Sequence, residues 1–143
     1  MRIIGLDYGE KRIGVAVSDE MGMIAQPVAV VVRKNRQKDL ESITALVKKY
    51  CPERIVIGYP VRLDGAEGIQ CQKVNRFAAI LALHLQLPVI RWDEAFSTKE
   101  AEEILMRSHM KREKRREVVD KLAASIILQD YLKSIPSPSR QTY

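Results

Sequence analysis

Histidine and cysteine are scarce in this chain: His84 and His109 are the two imidazoles and Cys51 and Cys71 the two thiols among 143 residues. Neither type is spaced as in a zinc site, and two cysteines make no disulfide framework, so the thiols read as ordinary and reduced. His84, on a helical stretch, reads as a plain surface or boundary residue. Long apolar runs are missing as well. No stretch approaches the roughly 20 residues that span a bilayer, and the strand-like N-terminus has no signal-peptide pattern. The expectation is a cytoplasmic protein without a membrane partner. Internal repeats and linkers are also wanting, so the length predicts a single domain over 1–134 with a frayed, disordered tail at 135–143.

Acidic residues are outnumbered. Against 24 Lys and Arg stand 18 Asp and Glu, a net charge of +6. The excess is concentrated in RKNRQK (33–38) and KREKRR (111–116). A basic surplus favours polyanionic partners, because neutralised phosphates release condensed counterions. A solvated face is the competing reading of each run.

The hydrophobic pattern supplies the organisation. Residues 2–7 and 12–18 read as strands from their Ile and Val content. The turn Tyr8-Gly9-Glu10-Lys11 is short enough to make them antiparallel. A third strand over 23–32 follows, with Pro27 pointing to an irregular first half or an edge. Leu40, Ile43, Leu46, Val47 and Tyr50 recur at helical spacing. RIVIGYP (54–60) reads as a strand buried on both faces, 66–87 as a helix and PVIRW (88–92) as another buried strand. Ser97 and Glu100 make a capping box for a helix to about 107. A charged link, SHMKREKRR, then leads to a last helix over about 117–133. A meander followed by αβ units predicts an α/β fold with a mixed sheet and helices on its faces.

Such sheets bind ligands beyond strand carboxyl ends, where Asp7, Gly58 and the pair Asp93-Glu94 fall. Asp120 lies in the expected last helix beside Ala123 and Ala124, small residues that would let that helix approach a sheet closely. Clustered carboxylates resist joint ionisation unless a cation neutralises them. Mg²⁺ suits them, since it prefers oxygen ligands and keeps waters for substrate phosphates. Two such ions about 4 Å apart can hold the attacking and leaving oxygens of a phosphodiester. Taken singly, each acid also has an ordinary reading: Asp7 as a turn cap, Asp120 as a helix-dipole residue, Asp93 and Glu94 as loop residues. The turns at Gly58-Tyr59-Pro60 and Asp64-Gly65 fit either a phosphate cradle or plain chain reversal. Lys11 and Arg12 fit either phosphate contacts or hairpin decoration.

Four segments occur together in this order: DYGEKRIGVAVSD (7–19), VIGYPVRLDGAEG (56–68), DEAFST (93–98) and DKLAASIILQDYL (120–132). The set closely resembles the YqgF family, also called RuvX, bacterial proteins described as Holliday junction resolvases and as pre-16S rRNA nucleases. The resemblance spans all but the tail. It implies a ribonuclease H-like fold: a five-stranded mixed sheet, made of an antiparallel three-strand meander plus two parallel strands, with helices on both faces and the first and fourth strands adjacent. It carries the acidic, metal-holding site onto Asp7, Glu94 and Asp120, with Mg²⁺ or Mn²⁺ as the cofactor. Asp93 should point elsewhere if the strand pleat persists.

Two positions depart from the family pattern. Ala95 stands where arginine is common, removing a planar phosphate donor, and Tyr59 replaces a usual leucine. Arg62 or the 111–116 run could compensate, so the expected nucleic-acid contacts are Lys11, Arg12, Arg62, Lys111, Arg112, Lys114 and Arg115. The function expected from the resemblance is a metal-dependent endonuclease on structured RNA, processing the 5′ end of pre-16S rRNA in ribosome biogenesis. Its partners would be pre-rRNA, ribosomal precursor particles or branched DNA, and it would act as a monomer or weak dimer. The alternatives are a Holliday junction resolvase, which would work as a two-fold dimer; a non-catalytic RNA-binding assembly or transcription factor; and an actin- or sugar-kinase-type ATPase, for which one domain lacks the second lobe.

Overall fold

The computed structural model describes residues 1–59, 68–93 and 112–135, with side chains for all of these except 112–118, 120 and 121. Five strands and three helices are described: β1 (Ile3–Tyr8), β2 (Arg12–Ser18), β3 (Ala25–Val32), α1 (Arg36–Tyr50), β4 (Arg54–Tyr59), α2 (Ile69–Leu85), β5 (Val89–Asp93) and α3 (Arg112–Ser134). The strands form one sheet in the order β3-β2-β1-β4-β5. β1 and β3 pair antiparallel with β2, whereas β1, β4 and β5 run parallel. This is the α/β mixed sheet expected from the sequence, with the first and fourth strands side by side.

Turn chemistry fixes the meander. The Gly9 N–H donates to the Arg12 carbonyl at 2.9 Å, closing the first hairpin. A Cβ at residue 9 would sit 2.8 Å from that same oxygen, so the turn admits only glycine without shifting. β3 is an edge strand, which suits Pro27 because proline has no N–H to give a neighbour. Its ladder slips between Val15 and Ala16, whose partners are Ala29 and Pro27, so Val28 forms a bulge.

The second turn belongs to Asp19. Its carboxylate accepts the N–H groups of Met23 at 2.7 Å and Ile24 at 3.2 Å, and these backbone hydrogen bonds hold it below the usual 3.8. A depressed folded-state value means stability that is present above pH 3.8 and lost as pH falls through the lower folded value. Asp19→Ala should therefore destabilise by at most about 1 kcal/mol at neutral pH, since solvent screens this site. Urea titrations at descending pH should show the gap to the parent closing below pH 3.8. A gap independent of pH would mean that the carboxylate charge contributes nothing.

Strand alternation divides the core in two. On one face Ile4, Leu6, Ile13, Val15, Ile55 and Ile57 pack against Ile43 of α1 and Val74, Phe77 and Leu81 of α2. On the other face Ile3, Ala16 and Val56 pack against Ala124, Ile127, Leu128, Tyr131 and Leu132 of α3. Helices therefore cover both faces. No helix among the described residues is long and apolar enough to cross a membrane.

Helix starts differ from the sequence expectations. α1 begins at Arg36, one turn before the first apolar residue of its period, because Asn35 caps it by accepting the Lys38 N–H at 2.9 Å. The stretch read as a charged link is helical from Arg112. Lys, Arg and Glu are good helix formers even without an apolar stripe. Asp120 is consequently about two turns inside α3, too deep for the helix-dipole reading. Gly58 and Tyr59 belong to β4 rather than to a glycine loop. Asp64-Gly65, the expected helix at 97–107 and all of the tail except Ile135 lie outside the described residues.

Candidate active site at the carboxyl edge of the sheet

The parallel strands β1, β4 and β5 end at one edge of the sheet. Leu6 aligns with Ile57 and Ile57 with Arg91, so the next row across the three strands is Asp7, Gly58 and Trp92. On the antiparallel side Asp7 pairs with Gly14. Asp7 thus sits half-buried on a central strand with a glycine on each neighbouring strand, a row without side-chain bulk on either side.

The face on which Asp7 lies follows from the pleat. Ile4 and Leu6 point into the core under α1 and α2, and Ile3 into the core under α3. Gly5 and Asp7 alternate with Ile3 onto the α3 face. Gly5 is where α3 comes closest: a Cβ there would stand 2.7 Å from Leu128 Cβ and 3.2 Å from the Ala124 carbonyl oxygen. The direction of α3 is fixed by its second half. Arg54, at the amino end of β4, donates to the Tyr131 hydroxyl at 2.9 Å. Gln129 accepts the Ala25 N–H at 3.0 Å and donates to the Met23 carbonyl at 2.9 Å. The later turns of α3 therefore lie over the amino edge of the sheet and its earlier turns toward the carboxyl edge. Asp120 precedes Ala124 by about one turn, as Asp7 follows Gly5 by two residues; both steps lead to the same edge.

Of the three acids expected at the site, Asp7 is placed on this edge and Asp120 on the helix above it. Glu94 lies outside the described residues, next to Asp93, where β5 ends. Ile90 and Trp92 pack under α3, so Asp93 alternates onto the opposite face, in register with Tyr59. Among the described residues no group of three or more Asp, Glu, His or Cys is placed to hold a metal. The Glu94 residue and the Asp120 side chain fall outside that set. Of the expected nucleic-acid contacts, Lys11 is exposed in the hairpin turn and Arg12 opens β2. Arg112, Lys114 and Arg115 occupy the first turn of α3. Arg62, Lys111 and Ala95 lie outside the described residues.

Residues outside the expected site hold the end of β1 from the other face. The Tyr8 ring stacks on Phe77 of α2, with centroids 4.4 Å apart and 20° between planes. The Arg33 guanidinium lies over the Tyr8 ring at 4.3 Å and donates to the carbonyls of Gly9 and Glu10 at 2.9 and 3.0 Å. Gln70 donates to the Tyr8 carbonyl at 3.0 Å. Burial raises the Tyr8 phenol above its usual 10.0, with Arg33 pulling the other way. Tyr59 is buried beneath Arg91 and accepts a hydrogen bond from Asn75 at 3.2 Å.

The fold is shared with solved junction-resolving enzymes. RuvC of T. thermophilus in complex with a Holliday junction substrate superposes with a TM-score of 0.57 at 13% identity, covering 94% of each chain. The Fowlpox virus resolvase in complex with Holliday junction DNA gives a TM-score of 0.57 at 16% identity over 94% of this chain and 98% of that one. Sequence similarity is much closer to two curated proteins, each named "Putative pre-16S rRNA nuclease". The one from Syntrophus aciditrophicus is 62% identical over 135 residues, 94% of this chain and 90% of its own length. That from Halothermothrix orenii is 50% identical over 132 residues, 92% of this chain and 94% of its own. The family model described as "RuvX: Holliday junction resolvase" matches residues 1–134. With that match over nearly the whole chain, and with relatives this similar, the chain belongs to the RuvX family.

Proposed function

We propose that this chain is a cytoplasmic, metal-dependent endonuclease that hydrolyses phosphodiester bonds in structured RNA, with the 5′ end of precursor 16S rRNA as substrate. The observation that carries the reading is the placement of Asp7 at the carboxyl end of a central parallel strand, between two glycines and on the face that α3 covers. The names of the similar proteins supply the substrate.

The donor chemistry fits a hard divalent cation. Asp7, Glu94 and Asp120 offer only carboxylate oxygens, the ligand type of Mg²⁺ and Mn²⁺. The glycines that flank Asp7 on the neighbouring strands add no side chain beside its carboxylate. These three acids would hold the cation, which supplies stabilisation of the charge that builds on the phosphate oxygens during displacement. The chain's own part is positioning: Asp7 is fixed by the ladder to Gly14 and by the Tyr8 stack behind it. Lys11 and Arg12 at the hairpin, Arg112, Lys114 and Arg115 at the start of α3, and Arg62 and Lys111 meet the nucleic-acid backbone.

Binding of a cation to the folded state alone raises stability by mass action. Mg²⁺ or Mn²⁺ should raise the melting temperature of the parent, and the rise should vanish in Asp7→Asn. An equal rise in the variant would mean that the ions bind elsewhere.

The family description favours a second reading, cleavage of a four-way DNA junction. A direct comparison separates the two: precursor 16S rRNA and a four-way junction are offered to the parent and to Asp7→Asn under the same Mg²⁺. Cleavage of the RNA alone by the parent supports the first reading. Junction cleavage by a dimer supports the second, and activity retained by Asp7→Asn defeats both.

A further inference from the structure

Arg33 of the basic run at 33–38 braces the β1–β2 turn, and together with Arg36 it builds one wall of a concavity on the opposite face of the sheet from Asp7. A groove of about 260 Å³ lies between the start of α1 and the outer side of α2. Arg33 and Arg36 line one side and Lys73, Arg76 and Ile80 the other, with Tyr8 and Phe77 between them. Lys73, Arg76, Phe77 and Ile80 fall at i, i+3, i+4 and i+7, so one stripe of α2 faces the groove.

Asp39 is the one carboxylate among the described residues that line the groove, and it is already engaged. It is buried, accepts the Lys34 N–H at 3.0 Å and stands 3.6 Å from Arg33 Nε. Arg33 is likewise occupied in clamping the β1–β2 turn. Asp39 offsets Arg33, which leaves the exposed cations Arg36, Lys73 and Arg76 around one concavity with no carboxylate paired to them among the described residues. Like charges gathered this way repel, and an anion seated among them relieves the repulsion.

We infer that this groove binds the sugar–phosphate backbone of the nucleic-acid substrate, as a second site that takes the strand where it passes over the carboxyl edge away from Asp7. This rests on the nuclease reading. Size and lining choose the occupant. The volume falls just short of the roughly 300 Å³ at which small-molecule pockets begin, and the wall is cationic rather than apolar. The aromatic floor is already stacked and covered, so it offers charge and not an open ring for a base. Recognition is therefore independent of base sequence. Tyr8 follows Asp7 directly, so a strand leaving the catalytic edge reaches the groove at once.

The test is the triple variant Arg36→Ala, Lys73→Ala, Arg76→Ala, which leaves Arg33 and its clamp intact. A labelled single-stranded oligouridylate of about 20 nucleotides is titrated without divalent metal over a range of salt. Each phosphate contact contributes about 0.7 to the slope of log K against log salt for a single strand. The variant should bind at least tenfold more weakly near 0.1 M salt, with a slope shallower by about 2. A control with the same charge loss, Lys48→Ala, Lys49→Ala, Lys133→Ala, removes exposed cations from the last turns of α1 and α3 and should bind as the parent does. Unchanged affinity and slope in the groove variant overturn the proposal. So does an equal loss in the control, which would reduce the groove to general surface charge. Because the assay needs no cleavage, failure of the nuclease reading appears separately, as a parent that binds the oligonucleotide yet cuts no substrate with Mg²⁺.

Discussion

Asp7→Asn is expected to lower the cleavage rate by roughly 10³-fold or more while moving the metal-free melting temperature by no more than a few degrees. Loss of residues that merely support a metal ligand costs about 10- to 100-fold, and removing a ligand's charge exceeds that. The amide keeps the shape of the carboxylate, so the ladder between β1 and β2 and the packing of Gly5 against Leu128 are untouched. Single-turnover cleavage and a thermal melt on the same preparation give both readouts. A variant that loses activity only in proportion to its stability would reduce Asp7 to a structural residue.

Gly5→Ala should show the reverse pairing, with stability and activity lost together. The new Cβ would meet Leu128 Cβ at 2.7 Å and the Ala124 carbonyl at 3.2 Å. Both atoms are fixed to the backbone of α3, so no change of rotamer relieves the contact and the helix itself must move. Overpacking of this kind costs about 2 kcal/mol, a drop of several degrees in a chain of this size. Asp120 rides on the same helix one turn away. A shift of about 1 Å in a positioned group can cost on the order of 10²-fold in rate. Denaturant titration and cleavage kinetics check the two halves. Parent-like values in both would mean that α3 has slack over β1, and that its approach at Gly5 does not set the site.

Where the hydrophobic pattern is dense, the sequence foretold the structure well. The Ile and Val runs at 3–8, 12–18 and 54–59 form strands because each is buried on the pleat, and the short turn at Gly9 forces the first pair antiparallel. Asp7 and the edge it occupies were legible for the same reason, since a carboxylate that ends an apolar run marks where a strand emerges. The starts of α1 and α3 were not legible, because their first turns are polar all round and carry no apolar period. The capping oxygen of Asn35 was the usable signal for α1. The basic groove was out of reach of any linear reading. Residues 8, 33, 36, 73 and 76 meet only because α1 and α2 pack on one face of the sheet.

The proposed nuclease chemistry requires Asp7, Glu94 and Asp120 to share one coordination sphere. Anomalous diffraction from crystals soaked in Mn²⁺ tests it without reference to substrate. One peak is expected, or two about 4 Å apart, with carboxylate oxygens of all three acids about 2 Å from a peak. A manganese peak away from Asp7, or well-ordered carboxylates too far apart to reach a common ion, would contradict it.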